Sequence, residues 1–267
     1  MAKLSITTAW NETAGFVQRE ARLLFPLSFM LVALPVALLE ALMPRAAPGQ
    51  APEAGAWMIV ALVALLASLA GNLALTQLAL KPGASVAEAL RHALGRLLPM
   101  LAAVLLLIAA GVALLLAIAF LIVLFVTGGA PAADPGVPNE AMQRASLLML
   151  VLIAPILIYF SARLMPMPPV AVAEPGGPFS IISRSWRLTR GHGLKLVGFI
   201  LLIGVLMSVL RIAIESVLGS LLILAAGPAQ PGSVSALLII AVLAAVNTVV
   251  AVYLATLIAR IYAQLAA

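Results

Sequence analysis

Ionisable residues inside apolar stretches are the positions at which this sequence could do chemistry. Arg211 and Glu215 stand four residues apart in an apolar run, so a helix would place them on one face, where they can neutralise each other. Glu40 lies towards the end of another apolar run. Because a charge in lipid costs about 3 kcal/mol, such side chains usually turn inward or pair. The pattern predicts either a self-neutralised pair or an outward-facing polar pocket formed by Glu40, Arg211 and Glu215.

Few other residues could support catalysis. Asn72 and Asn247 lie within two further apolar runs, where an amide can bridge neighbouring helices. The sequence has no cysteine and contains no HExxH, GxSxG or Walker motif. Its two histidines, His92 and His192, lie on or beside basic segments, which favours solvated or headgroup-facing roles. We therefore predict no catalytic residue, no metal site and no cofactor, while a membrane-embedded lipid enzyme stays open.

A basic segment, residues 174–196, has the pattern of an amphipathic helix. At roughly 100° per residue, its side chains separate into two halves of a helical wheel. The apolar half holds Phe179, Ile181, Ile182, Trp186 and Leu188, and the polar half holds Ser180, Ser183, Arg184, Arg187 and Arg190. Pro178 suits a first helical position, and Gly191 and Gly193 suit the end of a helix. We expect an interfacial helix whose tryptophan reaches headgroup depth and whose three arginines contact anionic lipid phosphates.

Two more segments repeat this amphipathic pattern. Residues 4–20 carry Trp10 on an apolar face, and residues 81–97 carry Arg91 and Arg96 on a polar face. Tryptophan favours the headgroup level of a membrane, and arginine is attracted to anionic lipids. The sequence therefore adds Trp10, Arg91 and Arg96 to the predicted lipid-binding residues.

The composition is that of an integral membrane protein. Hydrophobic residues make up 64% of the chain and charged residues only 9%, whereas about a quarter of a soluble domain is charged. The mean hydropathy is +1.21. Six apolar runs reach the length of about 20 residues that a transmembrane helix needs, at about 23–43, 57–80, 97–127, 145–168, 194–225 and 235–262. We predict a single all-α membrane domain over 1–267, built of three transmembrane hairpins, each preceded by a separate interfacial helix.

The three hairpins have the order of an internal repeat, over residues of about 4–80, 81–170 and 174–263. Pro82-Gly83 and Pro175-Gly176 each precede an amphipathic segment with an arginine nine residues after the proline. Triplication of an ancient unit and convergent patterning both explain the order.

Basic residues predict the orientation. Twelve of the fifteen lie in the N-terminal segment, the 81–96 and 163–195 segments and the C-terminal segment, against two in the opposite loops, Arg45 and Arg144. Positive residues concentrate on the cytoplasmic side of membrane proteins. The Ala-rich and Arg-rich composition suggests a bacterial source. We expect a bacterial inner membrane protein with both termini in the cytoplasm.

A family resemblance is carried by residues 159–200. This stretch contains Arg163-Leu164, three prolines, Glu174 followed by glycines, and then Ser-Trp-Arg-Leu-Thr-Arg-Gly at 185–191. It resembles the membrane domain of glycerophosphodiester phosphodiesterases and similar small bacterial six-span proteins. Some members of that family carry a soluble phosphodiesterase barrel after the spans. Because this sequence ends at Ala267, after the sixth span, we expect no hydrolase activity.

Two functions remain after these observations. The first is a non-catalytic membrane module that binds anionic lipid, a partner membrane protein or a second copy of itself, and no nucleic acid. The alternative is a small transporter or permease subunit with a polar site near Glu40, Arg211 and Glu215. A transporter would need discontinuous helices, and Pro155 is the internal breaker that the sequence offers.

Overall fold

A computed structural model describes residues 5–44, 53–127, 140–227 and 233–266. Within these residues the chain is helical and contains no β-strand. The helices are α1 (Ile6–Ser28), α2 (Leu34–Leu42), α3 (Trp57–Leu80), α4 (Val86–Thr127), α5 (Glu140–Leu164), α6 (Met167–Ala173), α7 (Pro178–Leu188), α8 (Gly193–Ala213), α9 (Gly219–Ala226) and α10 (Val234–Ala266). Of the basic residues used to predict orientation, Lys3 and Arg45 and the side chain of Arg144 lie outside the described part.

Six helical stretches in the described residues are long and apolar enough to cross a membrane. They are Ile6–Leu42, Trp57–Leu80, Val86–Ile122, Leu147–Ala173, Gly193–Leu222 and Val234–Ala266. Their number agrees with the six spans predicted from hydropathy. The protein is therefore an all-α, multi-span membrane protein.

The prediction of three separate interfacial helices is wrong for the first two. The first amphipathic segment continues without a break through α1 into α2, and the second is the start of α4. Residues 20–23 are good helix formers, and the backbone of Gly95 stays helical, so nothing stops either helix at the predicted junction. With 42 residues, α4 extends for about 63 Å, about twice the thickness of a bilayer's hydrocarbon core.

The third amphipathic segment is a separate helix, α7, as predicted. Pro178 is its first residue, with Gly177 as the N-cap. Gly191 adopts φ +87°, a conformation that costs glycine little, and so redirects the chain before α8 begins at Gly193.

Three of the spans contain interruptions that the sequence pattern did not predict. The turn Phe29–Ala33 between α1 and α2 is π-helical, and so is Ile214–Leu218 between α8 and α9. The fourth span breaks at Pro166, between α5 and α6, because that proline and the two that follow remove backbone donors. Helix α5 passes through Pro155 without ending, so the predicted breaker was the wrong proline.

The start of α1, the α3–α4 link, α6, α7 and the end of α10 meet at one end of the bundle. The backbone N–H of Ser5 donates to Gln264 Oε1 at 3.1 Å, and His92 Nε2 lies 2.9 Å from the carbonyl oxygen of Val172. We call this end the basic end, since the elements that meet there carry exposed cations at Arg19, Arg22, Lys81, Arg91, Arg187, Arg190 and Lys195.

The core is densest where α3 crosses its neighbours. Seven consecutive residues, 73–79, are buried in α3. A Cβ on Gly71 would lie 2.8 Å from Leu31 Cβ and 2.8 Å from Val32 Cγ2, so the glycine lets α3 approach the π-helical turn closely. Small residues allow such close backbone approach in membrane bundles. This contact holds the interrupted first span against the centre of the protein.

Candidate functional site

Helix α7 is held on the bundle by one narrow face. Ile181 and Ser185 are its buried residues, and Thr189, which caps the helix, is also buried. The hydroxyl of Thr189 lies 3.1 Å from the carbonyl oxygen of Arg163 and 3.0 Å from that of Ser185. The end of α7 is therefore tied to the end of α5.

An ion pair ties the middle of α7 to the end of α6, and a hydrogen bond links the same carboxylate to α10. The Nε of Arg184 lies 3.0 Å from both carboxylate oxygens of Glu174, and the hydroxyl of Tyr262 donates to Oε1 of the same residue at 3.0 Å. Side-chain exposure is 38% for Arg184 and 32% for Glu174. Arg184 is therefore paired with a carboxylate although more than a third of its side chain stays exposed, and lipid contact by Arg184, Arg187 and Arg190 stays a prediction. A helical wheel shows which face is polar but not whether a carboxylate from another segment meets it.

Trp186 is packed against protein rather than projecting freely. Its ring lies 6.0 Å from the Tyr159 ring and 5.4 Å from the Phe160 ring, both on α5. The guanidinium carbon of Arg163 lies 4.4 Å from the centre of the Trp186 ring. The strongly exposed apolar side chains near α7 are instead Phe179, at 74%, and Leu194, at 85%.

An open groove runs along the outward side of α7. It has a volume of about 570 Å³ and is lined by Phe179, Ser180, Ile182, Ser183, Trp186 and Arg187. Arg187 is exposed, and so are Arg190 and Lys195 just beyond the groove. Apolar side chains and a cation therefore share one accessible surface, which suits an amphiphilic ligand.

The other predicted interface residues are spread over α1 and α4. Trp10 is exposed and stacks on Tyr253 with 5.8 Å between ring centres. Arg91 is exposed and Arg96 half-buried on α4, which packs against α7. None of these three residues is among those that line the groove on α7.

The predicted pair of Arg211 and Glu215 is present, with 2.8 Å between Arg211 Nε and Glu215 Oε1. Arg211 also lines a cavity of about 250 Å³ together with Glu40, Ser208 and Asn247. Glu215 is not among the lining residues, so the expected three-residue pocket is only partly correct. At about 1.5 Å per residue, Arg211 lies about 27 Å along the span Gly193–Leu222, somewhat beyond its midpoint on the side away from the basic end.

A second cavity, of about 460 Å³, adjoins the first. Asn72 and Thr76 line it, and Asn247 and Val250 line both cavities. Asn72 Nδ2 donates to the carbonyl of Ser68 in its own helix at 2.9 Å, and a bridge from this amide to another helix stays a prediction.

The π-helical turns, which often mark functional sites, border both cavities. Val32 from the first turn lines the larger cavity, and Ile214 from the second turn lines the smaller. Both turns therefore widen a helix at a place where polar side chains reach the cavity wall.

The residues that sequence reasoning missed at the basic end are Arg163, Glu174 and Tyr262. From the sequence, Arg163 supported the orientation and the family resemblance but was not a predicted site residue. Tyr159 and Phe160 stand one helical turn before it and could have indicated an aromatic environment. Nothing in the sequence indicates that a tyrosine 88 residues away reaches Glu174. Among the described residues, no group of three or more His, Cys, Asp or Glu side chains is placed to hold a metal ion.

The fold and these sites define a multi-pass helical membrane protein with a basic end and two cavities that a few polar side chains line. A family model described as a domain of unknown function, DUF7847, matches residues 4–265, and the chain belongs to this family. No curated protein and no solved structure matches the chain. The resemblance to the membrane domain of glycerophosphodiester phosphodiesterases is not among the matches and stays a prediction.

Proposed function

We propose that this protein is a non-catalytic membrane module that binds anionic lipid at its basic end. The groove on α7 carries the proposal, because Arg187 and Ser183 lie beside Phe179 and Ile182 on one open surface. A phosphate group suits the arginine, and an acyl chain suits the apolar side chains. Each cation near an anionic surface contributes about 1 kcal/mol, so Arg187 and Arg190 would contribute about 2 kcal/mol together.

The resemblance over residues 159–200 supports a module rather than an enzyme. In the glycerophosphodiester phosphodiesterase family the catalytic barrel is a soluble domain, whereas the resembling residues belong to the membrane domain. The position of α7 on the bundle supports the same function. The Arg184–Glu174 pair holds the helix while Arg187 stays exposed.

Replacing Arg187 and Arg190 together with glutamine is expected to weaken phosphatidylglycerol or cardiolipin binding about thirtyfold, because about 2 kcal/mol of surface attraction is removed. Native mass spectrometry of the purified protein measures the retained lipid. Retention by the wild type should also fall as salt rises, since salt screens exposed charges.

The matched control replaces Arg19 and Arg22, two exposed cations of α1, with glutamine. This control should retain more lipid than the α7 variant. If the α7 variant and the wild type retained equal amounts of anionic lipid, Arg187 and Arg190 would serve only to set the orientation of the protein in the membrane. A partner membrane protein or a second copy would then be the better occupant of the groove.

We propose further that the basic end faces the cytoplasm of a bacterial inner membrane, with both termini inside, on the strength of the charge asymmetry. Green fluorescent protein fused after Ala267 or inserted at Gly83 should fluoresce, and alkaline phosphatase at either site should be inactive. A phosphatase inserted at Glu53, in the loop between α2 and α3, should be active. Phosphatase activity at Ala267 would overturn the orientation.

The polar cavities favour a second candidate, a small permease subunit. Glu40, Arg211 and Asn247 line one cavity, and Asn247 and Asn72 line the next. The break in the fourth span at Pro166 and the π-helical turns in the first and fifth spans support this candidate, since transporters use interrupted helices. Uptake of solutes by proteoliposomes containing the protein separates this candidate from a lipid-binding module.

A further inference from the structure

Arg163, the penultimate residue of α5, is a buried cation without an anionic partner in the described chain. It is 6% exposed, and its Nε is buried and makes no hydrogen bond. The ion pairs found in the described residues are Arg184 with Glu174 and Arg211 with Glu215, so neither supplies a counter-ion to Arg163. An arginine cannot lose its proton in a protein, and burying an unpaired charge is costly. Its surroundings therefore favour an anion.

The N-terminus of α8 adds positive potential at the same place. The N-cap residue, His192, makes no capping hydrogen bond, and the first turn contains Lys195 and no acidic residue. The Nδ1 atom of His192 is buried and has no hydrogen-bond partner. The unpaired N–H groups at the start of a 21-residue helix attract negative charge.

The side chain of Arg163 lies directly against this helix start. A Cβ built on Gly193, the first residue of α8, would be 3.7 Å from Arg163 Cδ and 3.7 Å from Tyr159 Cε2. Both are ordinary van der Waals distances, so the arginine side chain runs in contact with the first turn of α8. On its other side the guanidinium is covered by the Trp186 ring. Two aromatic walls shield it from water, which strengthens any charge interaction made there.

We propose that Arg163, His192 and the N-terminus of α8 form a binding site for one phosphate group. The guanidinium of Arg163 and the first N–H groups of α8 would donate to phosphate oxygens, and His192 would donate from its ring nitrogen. The phosphate could be the phosphodiester of an anionic phospholipid or a free phosphate ion, since both present the same oxygens. This site is distinct from the exposed groove and does not depend on Arg187 or Arg190.

Two measurements test the site on the full-length protein. Native mass spectrometry after addition of phosphatidylglycerol counts bound lipid, at about 0.5 M salt, where exposed charges are largely screened. Thermal unfolding in detergent compares inorganic phosphate with chloride at equal ionic strength. In the wild type we expect one lipid adduct that persists in salt, or a rise in melting temperature with phosphate. The first outcome identifies the lipid as the source and the second identifies the free ion.

Arg163→Gln and His192→Gln should each weaken the bound species about tenfold, the effect of losing one charge-assisted contact. Arg163→Lys keeps the charge and the contact with Trp186 but not the planar donor fork, so it should fold as the wild type and bind more weakly. Arg187→Gln/Arg190→Gln should keep the salt-resistant species. If Arg163→Gln does not fold, His192→Gln decides the result. Wild-type binding in His192→Gln and Arg163→Lys, or no phosphate-dependent species in the wild type, would show that Arg163 acts only by stacking.

Discussion

Glu174→Gln is expected to lower the free energy of unfolding by about 2 kcal/mol, because it leaves the half-buried guanidinium of Arg184 without its carboxylate. It also weakens the hydrogen bond that the hydroxyl of Tyr262 donates to Glu174. A fully buried pair would lose more free energy of unfolding; the loss is smaller here because both partners are partly exposed. Thermal or denaturant unfolding in a fixed detergent measures the difference.

Tyrosines on α10 provide matched controls for this prediction. Tyr262→Phe removes one hydrogen bond and should cost about 1 kcal/mol. Tyr253→Phe changes the same chemical group, but Tyr253 contributes a ring stacked on Trp10, which phenylalanine preserves, so little change is expected. If Glu174→Gln and Tyr262→Phe were additive in a double-mutant cycle, the network would not be coupled.

The consequence for function is that α7 has a fixed orientation. With Glu174 intact, Arg184 is held by its carboxylate and Arg187 stays on the groove. Glu174→Gln should therefore reduce anionic lipid retention as well as stability, although Glu174 itself is negatively charged. Removing a negative charge would increase attraction to anionic lipid if charge alone mattered. The direction of the change thus distinguishes an oriented groove from a diffuse basic surface.

Replacing either member of the Arg211–Glu215 pair is expected to cost up to about 3 kcal/mol, because one charge is left unpaired within the span. Arg211→Leu and Glu215→Leu should each lower the yield of folded protein more than the double replacement does, since an uncompensated charge is the costly state. Yield and unfolding in detergent are the measurements.

The same variants also test the cavity. Arg211 lines it beside Glu40, whereas Glu215 does not. If the permease function holds, Arg211→Leu/Glu215→Leu should fold and lose solute uptake, and Glu40→Gln should lose uptake with little change in yield. If the loss of stability in the double variant equalled the sum of the losses in the two single variants, the two residues would act independently.

Hydropathy and charge pattern, both local properties of the chain, determined the class of the protein. Runs of about 20 apolar residues predicted six spans, and six are found among the described residues. The separate helix α7 was equally readable, because Pro178 and Gly191 mark its limits by backbone chemistry alone. The four-residue spacing of Arg211 and Glu215 was enough to predict their contact, since a helix brings such residues together whatever surrounds it.

Tertiary structure decided which residues share a site. Glu174 and Tyr262 are 88 residues apart, and only the packing of the end of α6 against α10 brings them together beside Arg184. The unpaired Arg163 lies beside the start of α8 because the end of α5 packs against α8. Contacts of this kind arise from helix crossings, and helical periodicity within one segment carries no information about which other segment it meets.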